Sequence, residues 1–173
     1  GIELRTFNGR INLDMSVYRK NTLDEILNVS VSKASGYNQT KVNVGRLRNT
    51  GIEGLLSFVP VDGKLRWETA FNGAYNISKV IELAGGQTRL QVASGYWIGW
   101  IAHEVGKPLA SVQDYDYKRD SQGRILSSAG KPLLGNLMTY GSGVPKTTAA
   151  WLNTITYKGF RIFTQLDLKG GNV

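Results

Sequence analysis

The stretch Leu65-Arg66-Trp67-Glu68-Thr69-Ala70-Phe71-Asn72-Gly73-Ala74-Tyr75-Asn76-Ile77-Ser78 decides the fold class. Its odd positions are Leu65, Trp67, Thr69, Phe71, Gly73, Tyr75 and Ile77, mostly large and apolar. Its even positions are Arg66, Glu68, Ala70, Asn72, Ala74, Asn76 and Ser78, small, polar or charged. A repeat of two separates these sets onto opposite faces of a β-strand, whereas a helix would mix them. Ile11–Tyr18 repeats the pattern, with Ile11, Leu13, Met15 and Val17 against Asn12, Asp14, Ser16 and Tyr18. Phe160–Lys169 repeats it again, with Phe160, Ile162, Thr164, Leu166 and Leu168 on the apolar side. These runs are about 8 to 14 residues long. Ordinary strands have about 5–6 residues, and a strand crossing a bilayer obliquely needs about 9–11.

Each run has a partner before it. Ile2–Phe7 precedes Asn8-Gly9, Ile52–Val59 precedes Val61-Asp62-Gly63-Lys64, and Trp151–Tyr157 precedes Lys158-Gly159. Asn-Gly and Asp-Gly favour tight hairpin turns. The expected architecture is all-β: three antiparallel hairpins with strands at about 2–7, 11–18, 52–59, 65–78, 151–157 and 160–169. The remaining connections, about 20–46 and 80–150, are long. With strands running up and down, all tight turns fall at one end and both long loops at the other. Outer-membrane barrels combine this asymmetry with alternating strands. A soluble β-sandwich carbohydrate-binding module is the alternative, since it shows the same alternation with shorter strands and more even loops. Six strands do not close a barrel comfortably, so the chain is expected to be a segment cut from a larger one.

Composition narrows the functional classes. Cys is absent, which removes thiolate catalysis, disulfides and Cys-based zinc sites, and His103 is the single histidine. Gly occurs 21 times in 173 residues, about 12%, against a usual ~7%. No run of 18 apolar residues exists and residues 1–30 show no secretory signal pattern. The net charge of +8 is spread out, its densest groups being pairs such as Arg46/Arg48 and Lys118/Arg119. This reads as a solvated surface and not a nucleic-acid footprint.

The motifs, in order, resemble a known family. They are Tyr18-Arg19-Lys20-Asn21-Thr22; Gly36-Tyr37; Asn43-Val44-Gly45; Asn49-Thr50-Gly51-Ile52-Glu53; and Trp67 with Asn72 and Asn76. Further on come Glu104-Val105-Gly106-Lys107-Pro108, Arg119-Asp120-Ser121-Gln122-Gly123-Arg124-Ile125, Gly130-Lys131-Pro132, Pro145, Asn153 and Tyr157-Lys158-Gly159-Phe160. Together they resemble the SusC/RagA-type TonB-linked outer-membrane receptors over about residues 2 to 171. The resemblance implies a barrel of about 22 strands with an N-terminal plug, of which this chain is part of the C-terminal half. It implies energising by TonB, a SusD-like surface lipoprotein as partner, a lipid bilayer around the strands, and import of oligosaccharides or peptides without catalysis.

Residue clusters that suggest chemistry are few. Pro132 stands where a phosphate loop needs Ser or Thr, and Gly141-x-Gly143 lacks the third glycine of a dinucleotide fingerprint. Asp114, Asp116 and Asp120 are interrupted by Lys118 and lack the terminal Glu of an EF-hand loop. Asp24-Glu25 are adjacent carboxylates that need not meet across a substrate, and His103 has no Asp or Ser partner at a diagnostic spacing. No catalytic residue, metal or cofactor is expected. Asn28, Asn38 and Asn76 begin N-x-S/T patterns, for which a bacterial barrel offers no glycosylation. Tyr96, Trp97 and Trp100 form the densest aromatic cluster, a candidate platform for sugar rings or, alternatively, loop packing or an interfacial anchor. Trp67, Tyr75 and Trp151 fall near expected strand ends and read as an aromatic girdle. Asp14, Arg66, Glu68, Arg161, Asp167 and Lys169 would line a wet lumen.

Overall fold

A computed structural model describes the chain except residues 25, 31, 32, 38, 44 and 95–98; for 27–30, 33, 39 and 42 it describes the backbone alone. In chain order the strands are β1 (Ile2–Thr6), β2 (Ile11–Leu23), β3 (Ile26–Ser30), β4 (Gln39–Asn43), β5 (Arg46–Asp62), β6 (Leu65–Glu82) and β7 (Arg89–Ser94). They continue with β8 (Trp100–Glu104), β9 (Ser111–Tyr117), β10 (Ser127–Ser128), β11 (Lys131–Pro132), β12 (Leu134–Ser142), β13 (Thr147–Tyr157) and β14 (Phe160–Gly170). The fold is all-β, and its barrel is not closed within this chain. The residues form two compact units: 1–20, 49–78 and 145–171 in the first, 21–48, 79–144 and 172–173 in the second.

The first unit is built on a six-stranded sheet of order β1-β2-β5-β6-β13-β14. Register follows the alternation read above. On one face Leu65, Trp67, Thr69 and Phe71 lie opposite Tyr157, Ile155, Asn153 and Trp151, which in turn lie opposite Phe160, Ile162, Thr164 and Leu166. Ile2 and Leu4 meet Met15 and Leu13, while Glu3 and Arg5 meet Asp14 and Asn12 on the other face. Aromatic rings tie the apolar face together across three strands. Phe71 stacks on Trp151 at 5.6 Å and on Phe58 at 6.3 Å between ring centres. Such pairs contribute about 0.5–1.5 kcal/mol each beyond area burial.

The apolar face carries a polar row, Thr69 opposite Asn153 and Asn153 opposite Thr164, and two indoles bond to its first two members. Trp67 Nε1 donates to Asn153 Oδ1 at 3.2 Å, and Trp151 Nε1 donates to Thr69 Oγ1 at 2.9 Å. The Thr69 hydroxyl donates onward to the Leu152 carbonyl at 3.2 Å. In a hydrocarbon surrounding each unmet polar group would cost several kcal/mol. The face is open: Ile162, Leu166 and Leu168 are 62%, 62% and 61% exposed. A β-sandwich covers such a face with a second sheet and a membrane barrel turns it to lipid.

Strand limits differ from the sequence reading. β2 runs to Leu23, β5 starts at Arg46, β6 continues to Glu82 and β13 starts at Thr147. In stretches such as Arg46-Leu47-Arg48-Asn49-Thr50 neither face is consistently apolar, so the hydrophobic period fades while the backbone ladder continues. Tyr75 and Trp151 therefore lie inside strands and not at their ends; Trp67 alone of the three expected girdle residues sits close to a turn. The first hairpin is joined by four residues, Phe7–Arg10, between the paired Thr6 and Ile11, where a two-residue Asn8-Gly9 turn was expected. The third turn is the two-residue Lys158-Gly159, with φ of 46° and 82°, the mirror-image geometry that matches strand twist.

The second unit fills the two connections expected as long loops. β3 and β4 pair as a hairpin, and β12-β9-β8-β7 form a four-stranded sheet, with β10 and β11 as a separate small ribbon. Irregular registers explain why alternation did not reveal these strands. The ladder shifts between Gln91 and Ala93, between Leu134 and Leu137, and between Thr139 and Gly141, and each bulge resets which residue faces which side. The unit has its own small core of Leu47, Val80 and Leu83, with Leu90 and Leu109 packed against it.

Candidate functional site

The four-stranded sheet has two unlike faces. On one, Leu90 lies opposite His103, and Leu90 packs on the Leu47–Val80–Leu83 core. His103 is 4% exposed, and its Nδ1 accepts the Ala110 N–H at 3.3 Å, which leaves the ring proton on Nε2. Burial pushes the imidazole below its ordinary pKa of 6.5, against a raising backbone hydrogen bond at Ala102, so His103 is neutral and structural at neutral pH.

The other face carries the candidate site. Register places Arg89 opposite Glu104, Trp100 opposite Gln113, and Gln113 opposite Thr139; directly opposed residues share a face. Gln113 is 1% exposed and every polar atom of its amide is used. Its Oε1 accepts from Arg89 Nε at 2.7 Å, and its Nε2 donates to Glu104 Oε2 at 2.5 Å and to Thr139 Oγ1 at 2.9 Å. The Thr139 hydroxyl closes the set by donating to Glu104 Oε2 at 3.2 Å. A recess of about 590 Å³ opens over this network, lined also by Thr88, Lys107, Leu137 and Met138.

An aromatic pair adjoins the network. Trp100 meets Tyr115 edge to face, 5.4 Å between ring centres at 87°. Gly99 fixes its placement: φ is +51°, and a Cβ there would collide with the Gln113 carbonyl. A half-buried indole beside an exposed phenol, next to fixed hydrogen-bonding groups, can stack on a flat apolar face while the neighbours bind polar edges.

Of the aromatic cluster read from sequence, Trp100 lies on this face, and Tyr96 and Trp97 lie outside the described residues. Glu25 and Asn38 lie outside them as well; Asp24 is exposed, with its backbone N–H bonded to the Gly45 carbonyl. Asp114 and Asp116 each accept the next residue's N–H, at 2.7 Å. Asp120 is drawn to Arg124 Nε at 2.7 Å, and this bond holds its carboxyl below the ordinary pKa. Among the described residues no three His, Cys, Asp or Glu side chains are grouped to hold a metal. Sequence reasoning missed Arg89, Gln113 and Thr139, because only strand pairing brings them together. Glu104 and Lys107 were quoted as motif residues without a role.

Comparison with known proteins fits this geometry. The family model described as TonB dependent receptor-like, beta-barrel, matches residues 1–172. The chain belongs to the TonB-dependent receptor family. As a segment of such a receptor, it is part of an outer-membrane protein. TonB-dependent receptor P39 of Formosa agariphila is 30% identical over 116 residues, 66% of this chain and 10% of that protein. TonB-dependent receptor P26 of the same organism is 33% identical over 85 residues, 49% of this chain and 9% of that protein. The solved RagAB peptide transporter superposes with a TM-score of 0.72 at 19% identity, covering 95% of this chain and 20% of that one. The RagAB peptide importer in its closed-closed state gives 0.73 at 19%, covering 98% and 20%. The receptor segment thus spans about a tenth of these curated relatives and about a fifth of the solved chains.

Proposed function

We propose that the receptor containing this segment imports nutrients such as oligosaccharides or peptides across the outer membrane. It works by binding and gated passage, energised through TonB and assisted by a SusD-like surface lipoprotein, with no covalent bond made or broken. The observation that carries this reading is the two-sided sheet in a chain of this family. One face is apolar and open, and the other holds the charged residues Asp14, Arg66, Glu68, Arg161, Asp167 and Lys169, with Leu152 and Phe163 among them. Burying an Arg or Lys in the hydrocarbon midplane would cost about 2–4 kcal/mol, so the charged face belongs to water. In this reading Trp100 and Tyr115 form the platform on which the nutrient rests. The RagAB relatives carry peptides by name, which makes peptides one arm of the test.

The test is genetic. A deletion strain is complemented with the full receptor or with a receptor unable to engage TonB, and uptake is followed for labelled oligosaccharides and peptides. Uptake of at least one substrate class should fall in the deletion and return only with the TonB-competent receptor. Unchanged uptake of every substrate would overturn the reading.

A further inference from the structure

The recess over the four-stranded sheet has a feature that aromatic stacking does not use. A guanidinium has five N–H donors in a planar fork. Among the described residues Arg89 spends only its Nε, on Gln113 Oε1 at 2.7 Å. Gln113 cannot turn away, because its amide nitrogen is held by both Glu104 and Thr139 and it is 1% exposed. The fork is therefore fixed at its inner edge, with both Nη groups left for the recess that Arg89 lines. A fixed fork of this kind matches the two oxygens of a planar anion.

Charge narrows the ligand. Arg89 and Lys107 line the recess and so does Glu104, a balance of two positive charges against one negative. A singly charged group is compensated there. A phosphate monoester with close to two negative charges would meet the Glu104 carboxylate uncompensated. Trp100, on the same face, offers its ring to the body of the ligand while the fork holds the charged end.

We propose that Arg89, oriented by Gln113, binds a carboxylate carried by the imported nutrient. This rests on the nutrient-import reading and adds the substrate's charge to it. Two sources share this chemistry, an acidic peptide and a uronate-containing oligosaccharide.

The experiment uses the full receptor purified in detergent with its lipoprotein partner. Binding is measured for a short oligogalacturonate, its methyl ester, a short acidic peptide and its methyl ester. One of the two free acids should bind at least about tenfold more tightly than its ester, and which one identifies the source. Arg89→Gln should abolish that preference, and Arg89→Lys should restore it in part, because the charge returns without the fork. Heat-modifiable gel mobility reports whether each variant is folded. Equal binding of acid and ester, or a preference that survives Arg89→Gln in a folded receptor, overturns the proposal. Binding of both esters as strongly as the acids would overturn the carboxylate site while leaving nutrient import standing, whereas loss of import in the genetic test would remove both.

Discussion

The phenol of Tyr18 on β2 lies across the intervening strand β5 and donates a 3.2 Å hydrogen bond to Asn76 Oδ1 on β6. It can do so because Gly51 stands on β5 beneath it. A Cβ at Gly51 would come within 2.6 Å of the Tyr18 oxygen and 2.7 Å of the Tyr75 carbonyl. Three residues quoted separately as motif positions, Tyr18, Gly51 and Asn76, thus form one contact that fixes the register of three strands.

That contact predicts an ordered series in the full receptor. Tyr18→Phe should cost about 0.5–1.5 kcal/mol, the worth of one hydrogen bond. Gly51→Ala should cost more, about 1–3 kcal/mol, since the backbone of β6 is crowded as well as the ring. The Gly51→Ala penalty should shrink, without vanishing, in a Tyr18→Ala background. Thermal loss of the folded gel band measures all of these, and strict additivity would show that the two residues are not coupled.

The two faces of β6 are separable by labelling. Phe71 lies in the aromatic row and Asn72 on the opposite face. In membranes Asn72→Cys should react with a small water-soluble maleimide, and Phe71→Cys should react poorly until detergent is added. Phe71→Arg should also lower assembly, by about 2–4 kcal/mol near the midplane, whereas Asn72→Arg should assemble. Equal labelling at both positions would contradict the lipid and lumen assignments.

His103 should make the second unit acid-sensitive. Its folded pKa lies below 6.5 because of burial. Between the folded value and 6.5 the unfolded chain takes up a proton that the folded one does not. The stabilisation is therefore complete above about pH 6.5 and is lost as pH falls through that window. Protease resistance of residues 79–144 in the full receptor should drop between about pH 7.5 and about pH 5.5, and His103→Gln should flatten the change. An unaltered pH profile in that variant would assign the sensitivity elsewhere.

Trp100 offers a direct test of the platform. Trp100→Ala, alone and with Trp97→Ala, should reduce substrate uptake at unchanged receptor abundance. Tyr115→Phe keeps the ring contact and should leave uptake close to normal. Normal uptake in the double variant would assign these rings to packing.

Sidedness can be read from cleavage. The hairpin turns at Gly63 and Gly159 belong to the tight-turn end expected to face the periplasm, and the turn at Ser121-Gln122-Gly123 belongs to the long connection expected outside. Protease added to intact cells should cut near Arg124 well before it reaches Gly63. The reverse order would invert the topology.

Sequence alone determined the strands whose two faces differ in character. Along Leu65–Ser78 and Phe160–Lys169 one face is largely apolar and the other more polar, so the sidedness is written into alternate residues. Pairing then follows from the hairpin turns, and the motifs placed the chain in its family without a structure. Sequence could not show where β5 begins or β6 ends, since there single apolar residues such as Leu47 and Val80 stand among polar ones and the period of two fades while the hydrogen-bond ladder goes on. Nor could it find the four-stranded sheet, whose bulges break the period. Arg89, Glu104, Gln113 and Thr139 lie on four different strands. Nothing in local spacing links them, and only the antiparallel registers of β7, β8, β9 and β12 bring an arginine, a glutamate, a glutamine and a threonine into hydrogen-bonding distance on one face.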